Sequence, residues 1–356
     1  MKRTIVLTGG GTAGHVMPNL ALLDGLREMD FEIVYIGGKN GMEQKLAEQA
    51  GLTYHGVSTG KMRRYLSVKN LTDPFRVAKG AGEAAALLRK IKPALVFSKG
   101  GFVAVPVVAA ARLHGIPCVI HEADMTLGLA TKLSMPFAKR VCATFPETMA
   151  QLPKKKAVLT GLPIRRALFA GGVTAGRRFT GAMDGKPLLL VMGGSSGARA
   201  INRAVREALP GLTARFCVAH VCGKGQVDET VAAEGYRQFE FVGEELPDLL
   251  AAADIVLSRA GANAVNELLA LRKPTLLVPL PLTQSRGDQI ANAESFLRQG
   301  FAEVMDEADM TAESLTAALD ALYESRARYI EAMARSSLTD GVREVLRVIQ
   351  EAVGKE

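Results

Sequence analysis

The 356-residue chain contains no tryptophan, and aromatic residues make up 5% of it. Its basic residues scarcely interleave with aromatics, so it offers few of the stacking platforms that hold single-stranded nucleic acid. A nucleic-acid-binding module is disfavoured on that ground, in spite of a net charge of +8. Cysteine is scarce as well. Cys118, Cys142, Cys217 and Cys222 form no Cys-x-x-Cys pair and lie in apolar, strand-like runs. A zinc ribbon and a disulfide scaffold are excluded, and reduced core thiols in a cytosolic protein are expected. Apolar runs such as residues 100–111 extend over about a dozen positions, short of the ~20 needed to span a bilayer. The chain opens directly into a strand, so no signal peptide is expected.

What is present is an apolar fraction of 48%, suited to buried parallel sheets and contrary to disorder. The length predicts two domains, each with its own core. Charge is shared unevenly: residues 1–160 hold 22 of the 44 basic side chains but 11 of the 36 acidic ones. That asymmetry suggests that the first half meets an anionic surface or partner. Strand candidates begin at Thr4, Glu32, Thr53, Ala94, Cys118, Arg140 and Ala157, with helical spacing between them, as at residues 42–50 and 81–91. The second half repeats the rhythm with strands over 187–192, 216–221, 239–242, 255–258, 275–278 and 301–305, and a helix over 198–209. Residues 171–186, rich in glycine and threonine, read as a linker. The predicted fold is α/β, with two Rossmann-like domains facing a cleft. Their expected bounds are 1–162 and 163–338, followed by an amphipathic C-terminal helix, 339–356, packing back near the first.

Chemistry-bearing residues cluster after the strands, where open α/β sheets bind ligands. Gly9-Gly10-Gly11-Thr12-Ala13-Gly14-His15 follows the first strand and opens a helix. Such a loop can seat an anionic group on backbone N–H groups. Gly9-x-Gly11-x-x-Gly14 also matches the dinucleotide fingerprint, but the second strand ends in Gly37-Gly38-Lys39 without the acid that a ribose requires. A plain strand-to-helix turn is the third reading. His15, with an ordinary pKa near neutrality, is a candidate proton acceptor. A second glycine loop, Gly193 to Gly197 with Ser195 and Ser196, is the better candidate for a diphosphate. Glu267, one turn into a helix after Ser258-Arg259-Ala260-Gly261, could hold the two hydroxyls of a ribose or be merely solvated. Asp288, Gln289 and Asn292 stand at another helix start, where capping is the simpler role for Asp288. Gly100-Gly101-Phe102 lines the rim after the fourth strand, and His121-Glu122 after the fifth reads as structural.

Six motifs together resemble one family. They are Gly10-Gly11-Thr12-Ala13-Gly14-His15-Val16, Gly100-Gly101-Phe102-Val103, His121-Glu122, Gly161-x-Pro163-Ile164-Arg165, Gly193-Gly194-Ser195-x-Gly197-Ala198 and Ser258-Arg259-Ala260-Gly261-Ala262. Their order and spacing are similar to those of the bacterial peptidoglycan N-acetylglucosaminyltransferases, over nearly the whole chain. The resemblance implies the two-domain GT-B glycosyltransferase fold. It further implies inverting transfer of GlcNAc from UDP-GlcNAc to the C4 hydroxyl of MurNAc in undecaprenyl-pyrophosphoryl-MurNAc-pentapeptide, lipid I to lipid II. By the same resemblance His15 is the catalytic base, and Gly14, His15, Gly100, Gly101 and Phe102 meet the acceptor. Thr12, Ala13, Gly14, Asp124, Arg165, Ser195, Val242, Ala262, Asn263, Ala264, Val265, Asn266, Glu267 and Gln289 meet the donor. Ala13 and Asp124 depart from the family, which mostly carries Gly and Asn there. No cofactor is implied, and no Asp-x-Asp pair offers a metal to the diphosphate, so metal-independent catalysis is expected. A lipid-linked acceptor implies a peripheral enzyme on the cytoplasmic face of the plasma membrane. Lys61, Arg63, Arg64, Lys69 and Arg76, in a segment whose acids are Asp73 and Glu83, are the expected contact with the anionic inner-membrane surface. A solvated charged face is the plainer reading of that segment. A relative acting on another lipid, a UDP-GlcNAc epimerase and an NAD-dependent oxidoreductase stand as alternatives.

Overall fold

The computed structural model of the chain describes residues 2–59, 69–182, 185–194, 197–339 and 341–354, with side chains in the helix Lys69–Ile91 described from Arg76 onward. It divides into two compact units, Met1–Arg165 with Asp340–Glu356, and Arg166–Thr339. In the first, the seven parallel strands among its described residues are β1 (Arg3–Thr8), β2 (Phe31–Gly38), β3 (Thr53–Val57), β4 (Leu95–Ser98), β5 (Cys118–Glu122), β6 (Arg140–Ala143) and β7 (Ala157–Leu159). They lie in the order 3-2-1-4-5-6-7. Ile5 and Leu7 face one core with Tyr35 and Phe97, while Val6 faces the other with Val34, Ile36 and Val96. This period of two, apolar on both sides, is what a sheet buried on both faces demands.

The helix Gly341–Val353 covers the Ile5–Leu7 face through Val345, Val348 and Ile349. Burying those three side chains contributes roughly 5 kcal/mol or more. The Lys139 ammonium donates to the Ala352 carbonyl at 2.8 Å, satisfying an orphan group at the helix end. Gly341 packs so closely on the Leu162 backbone that a Cβ would lie 2.3 Å from it. That contact keeps residues 162–165 with the first unit, so the division falls after Arg165.

The second unit has six parallel strands among its described residues: β8 (Leu188–Met192), β9 (Cys217–Val221), β10 (Tyr236–Phe239), β11 (Ile255–Ser258), β12 (Thr275–Leu277) and β13 (Ala302–Val304). Their order is 10-9-8-11-12-13. Three local expectations are corrected. Residues 173–180 of the supposed linker form a helix, Val173–Thr180. Its small residues serve packing, since a Cβ on Gly176 would lie 2.1 Å from the Asp248 carbonyl, and Gly181 ends the helix at φ 77°. The strand expected at 239–242 is Tyr236–Phe239, which among the described residues is an edge strand paired with β9, with Arg237 exposed on it. The helix expected to stop at 209 continues as Arg199–Arg215 through Pro210, forgoing one backbone bond there.

Candidate active site

The strand order reverses between β1 and β4 in the first sheet, which opens a crevice at the strands' C-terminal ends. The β1 loop enters it. Gly11 adopts φ 85°, and the helix Ala13–Leu20 follows. The loop is not an empty anion cradle. Glu43, 2% exposed, accepts the Gly11 N–H at 3.2 Å and the Gly38 N–H at 2.9 Å. A Cβ on Gly10, Gly37 or Gly41 would strike its side chain. An internal carboxylate therefore already takes the Gly11 N–H of this loop. Tyr35 adds a bond from its hydroxyl to Gly9 O at 2.8 Å, and Asn19 donates to Thr8 O at 3.2 Å.

His15, half-buried in the first helical turn, has Nδ1 3.0 Å from Gly10 O and 3.0 Å from Thr12 Oγ1. A carbonyl only accepts, so Nδ1 carries the proton and Nε2 holds the lone pair. Gly100 lies alongside: a Cβ there would sit 3.8 Å from His15 Cδ2 and 4.0 Å from Nε2. Gly101 packs against Gly10, whose carbonyl a Cβ on Gly101 would meet at 2.3 Å. Burial lowers the imidazole pKa below its ordinary value, the Lys99 ammonium lowers it further, and the Glu122 carboxylate opposes them. The site thus holds a neutral imidazole suited to accepting a proton.

The β5 rim serves as scaffold. Glu122 accepts the backbone N–H groups of Ala123 at 2.9 Å, Asp124 at 3.2 Å and Gly128 at 2.9 Å. His121 donates from Nε2 to Gly161 O at 2.9 Å, and burial keeps it neutral, its pKa well below the ordinary value. Asp124 is half-buried on the next turn. Thr12, Ala13, Gly14, Gly100, Gly101 and Phe102 share the crevice rim with His15, whereas Arg165 follows β7 at the sheet's far edge. Its Nε is buried without a partner.

In the second unit the order reverses between β8 and β11. Gly194 and Gly197 adopt φ 83° and 72° after β8, and a Cβ on Gly197 would lie 2.2 Å from Cys222 O. Beneath them Asn202 donates to Cys222 O at 2.9 Å and to Gln226 Oε1 at 3.0 Å. Its Oδ1 receives His220 Nε2 at 2.9 Å. A cavity of about 480 Å³ opens at the N-terminus of the helix Arg199–Arg215, lined by Arg199, Arg203, Gln226, Arg259, Gln284 and Glu307 among others. That volume suits a small ligand. Arg259 is buried, donates to Val278 O at 3.1 Å and pairs with Glu307, so Arg199 and Arg203 are the exposed cations at the helix start.

Ala262, Asn263 and Ala264 form the first turn of the helix Ala262–Ala270, with Glu267 partly exposed one turn on. Val265 and Asn266 point inward: Val265 is 1% exposed, and Asn266 donates to Ala262 O at 2.8 Å. Both side chains are therefore engaged in the unit's interior, so any contact they make with a donor is through the backbone. Val242, in the loop after β10, is buried too. Gln289 accepts the Leu280 N–H on Oε1 at 3.1 Å, which directs its amide nitrogen away from the backbone. All of these residues follow strands of one sheet. Ser195 lies outside the described residues, as do Lys61, Arg63 and Arg64. Lys69 begins a helix and Arg76 is exposed on it. Sequence reasoning missed Glu43, Lys99, Arg199 and Arg203. The glycines at 10, 37, 38 and 41 signalled a group needing room, and the four-residue spacing of the two arginines signalled a shared helix face.

Residues 5–143 match the glycosyltransferase family 28 N-terminal domain and residues 188–348 its C-terminal domain. The chain is 55% identical over 352 residues, 99% of both chains, to a protein of Lachnoclostridium phytofermentans. That relative is named UDP-N-acetylglucosamine--N-acetylmuramyl-(pentapeptide) pyrophosphoryl-undecaprenol N-acetylglucosamine transferase. A Clostridium tetani protein of the same name is 50% identical over 98% of both chains. The crystal structure of Acinetobacter baumannii MurG superposes with a TM-score of 0.79 at 26% identity, covering 98% of this chain and 99% of that one. With both domains present and full-length relatives at this identity, the chain belongs to glycosyltransferase family 28 and is a glycosyltransferase.

Proposed function

We propose that this enzyme transfers N-acetylglucosamine from UDP-N-acetylglucosamine to the C4 hydroxyl of MurNAc in undecaprenyl-pyrophosphoryl-MurNAc-pentapeptide, converting lipid I to lipid II with inversion at C1. The observation that carries the chemistry is the neutral His15 imidazole, its Nδ1 tied to Gly10 O. The names of the full-length relatives support the choice of substrates. The acceptor oxygen attacks C1 as the bond from C1 to the UDP oxygen breaks. The hydroxyl proton passes to His15 Nε2, and the bonding pair leaves with UDP. Backbone N–H groups at the start of the helix Arg199–Arg215, with Arg199 and Arg203, are suited to the leaving diphosphate's charge. Glu267 and Gln289 are assigned to the ribose and the sugar, and Arg165 to the diphosphate. Because these cations can stabilise the leaving group, the transfer is proposed to be metal-independent.

The acceptor's polyprenyl tail requires the enzyme to work at a membrane surface. Among the described residues no helix is long and apolar enough to cross a membrane, and basic side chains gather in residues 1–160. Peripheral binding to the anionic cytoplasmic leaflet, through the segment that holds Lys69 and Arg76, follows from this reading. The test is incubation with labelled UDP-GlcNAc, with and without a lipid I analogue. Acceptor-dependent formation of a disaccharide product is expected. Loss of UDP-GlcNAc without acceptor would favour epimerisation, and no transfer to the analogue would reject the assignment.

A further inference from the structure

Lys99 is 2% exposed at the end of β4. Its backbone N–H continues the ladder to Thr8 O at 2.9 Å. The absence of a Cβ on Gly9, which would lie 3.2 Å from Lys99 Cβ, makes room for the stem. Its Nζ is buried without a hydrogen-bond partner. A buried, unbonded ammonium is costly and persists only where opposite charge stands close. Glu122 and Asp124, from β5 and the turn after it, provide that charge. Glu122 in turn is held by three backbone N–H groups. Lys99 immediately precedes Gly100, the residue beside the Nε2 edge of His15.

We propose that Lys99 is a positioning residue for His15: a buried cation, retained by Glu122 and Asp124, that keeps the imidazole in its proton-accepting form. This rests on the reading of His15 as the base. The charged groups that act on the ring are Lys99 from β4, Glu122 from β5 and Glu43 from the helix Met42–Gln49. The two carboxylates favour the protonated ring, whereas burial and then the Lys99 ammonium favour the neutral one, so the cation offsets the carboxylates' charge. Burial itself draws the Lys99 ammonium down to about 8, and the carboxylates oppose this, so it remains mostly charged at neutral pH. The pairing also accounts for the acid at position 124: its charge is answered from within the protein before any diphosphate arrives.

The experiment uses the full chain with ring-labelled histidine, as wild type, Lys99→Met and Lys99→Arg. The His15 ring titration is read by NMR, and the acid limb of kcat/KM is measured with UDP-GlcNAc and a lipid I analogue. Wild-type His15 should titrate below the ordinary histidine value. Lys99→Met should raise both the ring titration and the acid limb by about one pH unit, a roughly tenfold loss of kcat/KM below the limb. Lys99→Arg should restore both towards wild type. A ring that titrates unchanged in Lys99→Met overturns the proposal. A ring that moves while the limb stays upholds the coupling and overturns His15 as the base. Wild-type His15 titrating at or above the ordinary value overturns the proposal whether or not Lys99→Met folds.

Discussion

Replacing Glu43 by alanine tests whether an internal carboxylate holds the catalytic loop. The side chain accepts the Gly11 and Gly38 N–H groups at 3.2 and 2.9 Å in a site where it is 2% exposed. A hydrogen bond to a charged group contributes roughly 1.5–3 kcal/mol, and a buried donor left unmet costs about as much. Two such bonds give a loss of about 3–6 kcal/mol. For a unit of this size each kcal/mol moves Tm by about 2–4 °C, so Glu43→Ala should melt roughly 10 °C or more lower. Glu43→Gln keeps one accepting oxygen but sets its amide nitrogen against an N–H, so about half of that drop is expected. The loop carries Gly10 O, the partner of His15 Nδ1. Displacing it by about 1 Å should lower kcat by roughly 10²-fold. Calorimetry of the full chain and initial rates with a lipid I analogue measure the two effects. A Glu43→Ala variant that melts and turns over like wild type would refute the reasoning, because the glycines around the carboxylate would then have no bonded group to accommodate.

Four other outcomes are expected. His15→Ala should reduce kcat by about 10²–10⁴-fold while UDP-GlcNAc still raises Tm; near-normal turnover removes the residue from the mechanism. Arg199→Ala with Arg203→Ala should slow transfer in wild-type fashion of metal dependence, with EDTA leaving both rates unchanged, and an EDTA-sensitive wild type would reject the metal-independent leaving-group scheme. Anionic vesicles should co-sediment with the protein at low salt and release it as salt rises; no binding at low salt contradicts the peripheral assignment. His220 is buried, with a pKa lowered by burial and by Arg206 to about 3. Its neutral form stabilises the fold fully above about pH 6.5, and that share is lost at about 1.4 kcal/mol per pH unit as pH falls towards 3. His220→Gln should flatten the decline of denaturant midpoints between pH 6.5 and 4.5, and an unchanged slope counts against the assignment.

The parallel sheets were legible because Ile5, Val6 and Leu7 must all be apolar in a strand buried on both faces. The C-terminal helix was legible for a related reason, since Val345 and Ile349 recur on one helical face. Other elements were hidden by their context. Gly176 reads as a linker residue until Asp248, 72 positions away, is seen to press on it. Tyr236–Phe239 escapes notice because, at the edge of the sheet, it is less covered and tolerates Arg237 and Gln238.

The same limit governs the site. Glycines at 10, 37, 41 and 100 could be read as places where nothing large is allowed, but not as what occupies the room. The occupant of the first three is Glu43, which as a letter in a chain is an ordinary acid in the first turn of a helix. Lys99 likewise reads as a solvated charge within a glycine turn, and its burial is set by β1 and β5, which lie far from it in sequence. Each has a partner from a remote segment, Gly11 for Glu43 and Glu122 for Lys99, and both bear on the same imidazole: Glu43 bonds the loop that carries Gly10 O, and Lys99 is proposed to offset the carboxylates that favour protonation. Glu122 and Glu43 raise the ring's affinity for a proton, and burial and Lys99 lower it. The glycine motif marks where His15 stands, while the roles proposed for the two buried groups bear on how readily it accepts a proton there.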